Sequence, residues 1–408
     1  MKLVTRFFDV LSKEGLGAAT SKTLQFSANS ISPQSTPSKV QLIDFYENIL
    51  GKEQGFGLKL TDQNIPKGSM TWVIPDFTAS SGGHINIFRM MRLLKHRGFE
   101  EQRVVIVDPY RWGSSEDAQK EMETAFGEFG AKVFLGAESL EPCDYLIATG
   151  WQTAYWVAKY KDARHKLYFV QDFEPYFYAN GGEYALAENT YRLGLTGITA
   201  GSWLAEKLET EYGMKTFGYS FACDLDHYKP TPKRESPNKN ILFYARPVTP
   251  RRCFEVGLLA LNRVCEEIPD AAVIFAGWDV SSYEIPFHHL NAGVLSLDQL
   301  PDLYSQCDAA LVLSATNLSL LPLELAACKC PIVMNDGHNA EWLLDKKEAF
   351  YTPMDPDRIA ETLIKVLKNK GGVATKVAKA AHKRANSQGW EEEADKVAEF
   401  IKALPQTK

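Results

Sequence analysis

The stretch from Asp308 to Asp336, DAALVLSATNLSLLPLELAACKCPIVMND, leaves this chain few folds to choose from. After Asp308 an unbroken apolar run, 309–313, is short enough to be a buried parallel strand, because a strand covered on both faces needs no polar alternation. A polar loop, 314–319, follows. Pro322 then predicts a helix start, since its missing N–H is one the first turn could not have used, and Glu324 in that turn complements the positive helix end. A second apolar strand, 331–335, comes almost at once. Strand, loop, helix and strand in so few residues build half a turn of a parallel α/β layer. The N–H groups around Leu318, Ser319 and Leu320 are then expected at the carboxyl end of the sheet, where such sheets bind phosphates. On the residues alone, Glu324 either caps its helix or faces a ligand.

A chain of 408 residues has room for two such layers, each with its own core. Its 45% hydrophobic and 24% charged residues are those of a soluble globular protein. A formal net charge of −6 argues against nucleic acid as the main partner, because neutralising phosphates needs a basic face. No apolar run approaches the roughly 20 residues that span a bilayer, and the first residues lack a signal-peptide core, so a cytoplasmic location is expected. Seven cysteines at scattered positions give no paired metal spacing and read as reduced thiols. Cys328 and Cys330 fall inside the apolar unit, where packing outweighs ligation.

Residues 1–68 differ in kind from the rest. Residues 3–11 have helical periodicity with basic residues around an apolar face, so the segment either touches an anionic membrane surface or docks on its own protein. Residues 20–38 read as a polar connector, and 41–50 as a helix. A first domain, 69–230, opens with a strand at 70–75, a loop DFTASSGG ending in Gly82 and Gly83, and a helix at 84–97 with Ile85, Phe88, Met91 and Leu94 in one stripe. Two glycines between strand and helix let backbone approach a phosphate closely. His84 is either a hydrogen-bond donor to substrate or a solvated helix-end residue. The α/β alternation continues through strands at 103–108, 132–135, 145–149 and 166–171, helices at 115–129 and 151–161, and a further strand, helix and strand at 197–201, 202–212 and 215–220. Two strand ends carry aromatics beside amides and acids, a vocabulary that suits sugars: Trp151, Gln152 and Thr153 at one, Gln171, Asp172 and Glu174 at the other.

A charged linker, 231–239, leads to a second domain, 240–385. It opens with a strand at 241–245, a loop holding Arg246, Arg251 and Arg252, and a helix at 254–268. Two guanidinium groups at a strand's carboxyl end can neutralise charge that builds on a departing diphosphate. Strands at 271–276 and 293–297 precede a helix at 298–306, and 356–399 reads as a last helical run. Residues 386–408 are expected to form a helix crossing back to the first domain.

Taken together, PLELAAC at 322–328, the ACDLDHYKP stretch at 222–230 and the Arg246…Arg251 loop resemble glycosyltransferase family 4, whose members have the GT-B fold of two Rossmann-like domains facing a cleft. In that family two glutamates stand eight positions apart in this strand–loop–helix setting. The second matches Glu324 and holds the nucleotide ribose. The first, which contacts the donor sugar, is Thr316 here, so the departure bears on sugar recognition rather than on nucleotide binding. The resemblance further implies that Arg246 and Arg251 clamp the donor diphosphate with Leu318, Ser319, Gly82 and Gly83, and that backbone near Val294, Leu295 and Leu297 meets the nucleobase. Thr316 and Asn317 would lie at the sugar, with His84, Trp151, Gln152, Thr153, Gln171, Asp172 and Glu174 as acceptor or catalytic candidates.

Within the family, the missing first glutamate and the GWQTAY and VQDFEP stretches are most similar to bacterial WsaF-type rhamnosyltransferases, which use dTDP-β-L-rhamnose in surface-glycan synthesis. The resemblance implies a retaining transferase with a saccharide or lipid-linked glycan acceptor. No Asp-x-Asp pair is placed to hold a metal, so no cofactor is expected. A peripheral contact with the inner membrane and a homodimer stay open. Other readings share these features: a GT-B enzyme with another nucleotide-sugar donor, an epimerase, or a non-catalytic glycan-binding protein that keeps the aromatics without needing Arg246 and Arg251.

Overall fold

The computed structural model describes residues 39–50, 57, 65–76 and 82–405. Two compact units divide the chain, Met1–Lys52 and Glu53–Lys408. The first contributes one described helix, Lys39–Leu50, which starts two residues before the one expected. The 3–11 and 20–38 segments and the glycine loop at 77–81 lie outside the described residues.

The second unit is built on two all-parallel sheets. One holds β1 (Met70–Ile74), β2 (Gln102–Ile106), β3 (Lys132–Leu135), β4 (Cys143–Ala148), β5 (Ala163–Val170), β6 (Thr196–Ala200) and β7 (Thr216–Tyr219), in the order β3-β2-β1-β4-β5-β6-β7. The other holds β8 (Lys239–Tyr244), β9 (Ala271–Ala276), β10 (His289–Gly293), β11 (Ala309–Val312), β12 (Ile332–Asn335) and β13 (Phe350–Thr352), in the order β10-β9-β8-β11-β12-β13. Every residue of β1, β4, β9, β11 and β12 is buried, which is why these strands read as apolar runs. Strand order reverses between β1 and β4 and again between β8 and β11, and the carboxyl ends at such reversals leave a crevice.

Helix Gly82–Lys95 covers the first sheet with Ile87, Phe88, Met91 and Leu94, all buried. Phe169 of β5 meets Trp72 of β1 edge-on at 5.6 Å. Burying a ring of that size stabilises the fold by roughly 2–3 kcal/mol.

Two expectations need correction. The strand expected at 293–297 lies at His289–Gly293, because an edge strand with exposed His289, Leu290 and Asn291 carries no apolar run to reveal it. The helical run at 356–399 is three helices, Pro356–Lys368, Val373–Ala385 and Trp390–Lys402. Gly371 and Gly372, at φ of 67° and 69°, break it in a conformation that no right-handed helix contains.

The last helix packs on the first sheet, not the second. Glu393 accepts a bond from the Ser220 N–H at 2.7 Å, just beyond β7. Phe400 stacks on Phe217 of β7 at 4.9 Å. Arg97 pairs with Glu391 and Asp395, each at 2.7 Å. Among the described residues no helix is long and apolar enough to cross a membrane.

Candidate active site

The loop 314–319, after β11, plugs into the carboxyl ends of β5 and β6. Asn317 is fully buried and all of its amide is used. Its Nδ2 donates to the carbonyls of Gln171 (3.0 Å) and Ala200 (2.7 Å), and its Oδ1 accepts from Leu318 N (2.9 Å) and Trp342 Nε1 (2.8 Å). Thr316 Oγ1 donates to Asp172 Oδ2 at 2.8 Å. Asn317 N and Phe173 N donate to Asp172 Oδ1 at 2.9 and 2.8 Å. Gly201, at φ of 96°, lies so close to Trp342 that a Cβ there would come 2.7 Å from its ring. Asp172, Thr316 and Asn317, all expected at the sugar, thus come together, yet their polar groups bond to one another across the two sheets. The Leu318 N–H expected to face a phosphate is taken by Asn317 Oδ1, while Ser319 lies half-buried beside it. Arg252 braces the loop from behind, its guanidinium donating to Ser314 Oγ at 2.8 Å.

Arg246 follows β8, and Arg251 sits on the short 3-10 turn Pro250–Arg252. Ala315 N donates to Arg251 O at 2.9 Å, which sews the arginine loop to the 314–319 loop. The Arg246 guanidinium lies 5.8 Å from the Trp278 ring centre, and that of Arg251 lies 4.2 Å from the ring centre of Phe177, a residue of the first sheet's side. Among the described residues neither side chain makes an ion pair or hydrogen bond, and the Nε of each is enclosed without an acceptor. Burial lowers the Arg251 pKa, Asp172 opposes that, and Arg252 and Arg246 lower it further. Half-buried cations that repel one another and lack acceptors are costly to maintain unless an anion comes to them.

Glu324 stands in the first turn of helix Leu321–Ala327, half-buried. Tyr304 OH donates to its Oε2 at 3.4 Å and the Tyr228 hydroxyl bonds to it as well. Burial pushes its carboxyl up to about 7, against the pull of those hydroxyls and of Arg89 on helix Gly82–Lys95. Tyr228, Tyr304, Arg89, Trp278 and Phe177 carried no assignment from the sequence. Their signal was faint: aromatics in loops and a short helix, and one cation among the three on helix Gly82–Lys95.

The first sheet's candidates are arranged differently. Glu174 Oε2 accepts from Trp151 N at 2.8 Å and Oε1 from Tyr168 OH at 2.9 Å. Burial pushes this carboxyl up to about 7. Thr153 Oγ1 accepts from Thr149 N and Gly150 N and donates to Gly150 O, closing the start of helix Trp151–Lys159. Trp151 is buried, its indole N–H donating to Tyr178 OH at 2.9 Å, and only Gln152 of the three is half-exposed. Glu174, Trp151 and Thr153 therefore hold the fold where a sugar contact was expected. The aromatics exposed at this edge are Tyr176 (43%) and Phe177 (38%). His84 is neither solvated nor at the cleft surface. It packs near Phe88 and Phe126, each at 6.2 Å, and burial lowers its pKa to about 4, so it is neutral at pH 7. Gln171 Nε2 donates to Gly83 O at 3.0 Å, tying the Gly82–Gly83 helix start to β5. Val294 and Leu297 are exposed beyond β10, and Leu295 packs on the core.

Hollows of about 550 Å³, beside Arg103 and Lys132, and about 350 Å³, beside Lys239 and Asp308, open at the amino ends of the strands, away from all these groups. Among the described residues no three His, Cys, Asp or Glu side chains converge as a metal site.

Residues 115–200 match the family description "WsaF, N-terminal domain" and residues 239–364 match "WsaF, C-terminal domain", together just over half of the chain. The chain belongs to the WsaF family. This WsaF-family chain is 33% identical over 337 residues to "O-antigen biosynthesis protein RfbC" of Myxococcus xanthus, an alignment covering 80% of the chain but only 26% of that relative. The chain thus spans about a quarter of the relative's length. Among solved structures it is similar to Anabaena Alr3699/HepE in complex with UDP-glucose (TM-score 0.62, 16% identity, 82% of this chain and 100% of that one). It is also similar to WaaG, a glycosyltransferase involved in lipopolysaccharide biosynthesis (TM-score 0.58, 13% identity, 82% and 100%). At such identities the likeness is one of fold, and the fold is GT-B: two Rossmann-like parallel sheets whose carboxyl ends meet.

Proposed function

We propose that this WsaF-family protein is a glycosyltransferase of surface-polysaccharide synthesis, moving a sugar from a nucleoside diphosphate to a saccharide acceptor with retention of configuration. The observation that carries the reading is the pair Arg246 and Arg251, two half-buried cations with no acceptor among the described residues, held at the carboxyl end of β8. Their N–H groups suit the oxygens of a diphosphate, and charge that grows on that group as it departs is stabilised most by cations already in place. Glu324, steadied by Tyr228 and Tyr304, suits the hydroxyls of a ribose. The relative named for O-antigen biosynthesis and the UDP-sugar complex of similar fold support the same chemistry.

L-rhamnose from dTDP-β-L-rhamnose is our choice of donor, following the resemblance of the GWQTAY and VQDFEP stretches. The state of the nearby carboxylates supports retention. Both Glu174 oxygens are engaged and buried, and both Asp172 oxygens already accept bonds, so neither stands open as a base behind the sugar. The acceptor hydroxyl would then attack on the face the diphosphate leaves, passing its proton to a departing phosphate oxygen. Turnover is assayed with dTDP-rhamnose and with UDP-sugars, with and without EDTA, and the product's anomeric configuration is read by NMR. A retained configuration and chelator-resistant activity are expected; an inverted product, or activity lost to EDTA and restored by Mg²⁺, overturns the mechanism.

A further inference from the structure

We propose that Phe177, a residue of the first sheet's side, is a positioning residue for Arg251, so that the anion site of the second sheet is complete only when the first sheet contributes to it. The inference rests on the reading that Arg246 and Arg251 receive a diphosphate.

Arg251 has no acceptor to orient it: among the described residues its guanidinium makes no hydrogen bond, and its Nε is enclosed without a partner. What lies against it is the Phe177 ring, 4.2 Å from Cζ. That ring sits on a firm mount. It ends the 3-10 turn Glu174–Phe177, whose first residue is bonded on both carboxylate oxygens and whose Glu174 N–H donates to Tyr191 OH at 3.1 Å. The next residue, Tyr178, takes the Trp151 indole bond. Phe177 nevertheless remains 38% exposed, although a ring packed inward at this edge would bury more apolar surface. Five residues earlier, Asp172 grips Thr316 and Asn317, and Ala315 of that same loop donates its N–H to Arg251 O. One short segment, 172–177, therefore steadies both the 314–319 loop and the arginine.

The choice of an aromatic ring has a chemical reason. A carboxylate would orient the guanidinium at least as firmly, but it would occupy the N–H fork and cancel the charge meant for the ligand. A ring face attracts the cation through its quadrupole and leaves the N–H donors of both terminal nitrogens for phosphate oxygens.

The test is a double-mutant cycle read by calorimetry with dTDP and UDP on the full chain. Phe177→Leu removes the ring face while keeping an apolar side chain, Phe177→Tyr keeps the face, and Arg251→Ala removes the partner. Phe177→Leu is expected to weaken binding of whichever nucleotide the parent takes by about fivefold, the size of an accessible cation–π contact. Phe177→Tyr should stay within about twofold of the parent, and Phe177→Leu should add nothing in the Arg251→Ala background. A Phe177→Leu variant that binds like the parent while Arg251→Ala is weakened overturns the inference alone, as does full additivity of the two or a Tyr variant as poor as Leu. Should Arg251→Ala bind like the parent, the diphosphate reading falls and this inference falls with it.

Discussion

The two sheets present their carboxyl ends to the same crevice and treat polar groups in opposite ways. On the first sheet's side, Glu174 accepts from the Trp151 N–H, Thr153 bonds to the backbone of Thr149 and Gly150, and Asp172 spends its oxygens on Thr316 and Asn317. On the second sheet's side, Arg246 and Arg251 are held in place by the backbone and by rings but, among the described residues, leave their N–H groups unanswered. A buried polar group with partners is part of the architecture; a half-buried charge without one is kept for something that arrives.

The sharpest way to break this contrast is to remove the unanswered cations. Arg246→Ala and Arg251→Ala should each lower kcat/KM more than about a hundredfold while the melting temperature stays near the parent's, since no hydrogen-bond partner among the described residues is orphaned. Near-parental turnover on the correct donor in both variants would end the contrast.

Glu324 stands between the two classes, with tyrosine partners and a place at the cleft. Glu324→Ala should weaken nucleotide binding by about 1.5–3 kcal/mol through loss of a charge-assisted bond. Unchanged affinity in calorimetry would make it architectural.

Asn317 belongs firmly to the architecture. Asn317→Ala strands the Gln171 and Ala200 carbonyls, the Leu318 N–H and the Trp342 indole N–H, so chemical denaturation should show a loss of roughly 1–3 kcal/mol. A variant as stable as the parent would show that the plug between the sheets is not structural.

The smallest effect is one of pH. The Glu174 carboxyl titrates near 7 when folded and near 4.5 otherwise, so the folded state holds its proton more tightly. Its stabilising contribution is complete below about pH 4.5 and is lost as pH rises through 7. Glu174→Gln should flatten the decline of melting temperature between pH 5 and 8, leaving the share due to Glu324, which titrates in the same window. A decline as steep as the parent's would mean that Glu174 is not the group responsible.

What the chain's residues revealed in advance follows the same divide. Strands β8, β9, β11 and β12 and the positions of the arginines were legible because apolar runs bounded by loops, and cations set at strand ends, are local patterns. The partners of Asp172 were not, because Thr316 and Asn317 lie about 145 positions away and only packing brings them together. Glu174 read as a cleft carboxylate because burial leaves no mark on a single residue's neighbours in sequence. Strand β13, three residues long, was too short to show a period, and β10 lacked apolar residues to announce it.

The returning helix Trp390–Lys402 carries a consequence for how the protein is made. Ser220 and Phe217 at β7, Arg97 after the first cleft helix, and Arg89 beneath Trp390 at 4.5 Å all wait for a segment synthesised after the whole second sheet. A ribosome that has released every strand of the first sheet still holds it with one flank bare. The amino-terminal half lacks this cover until the rest is made, so a nascent chain halted before residue 390 leaves Phe217 of β7 without Phe400 against it.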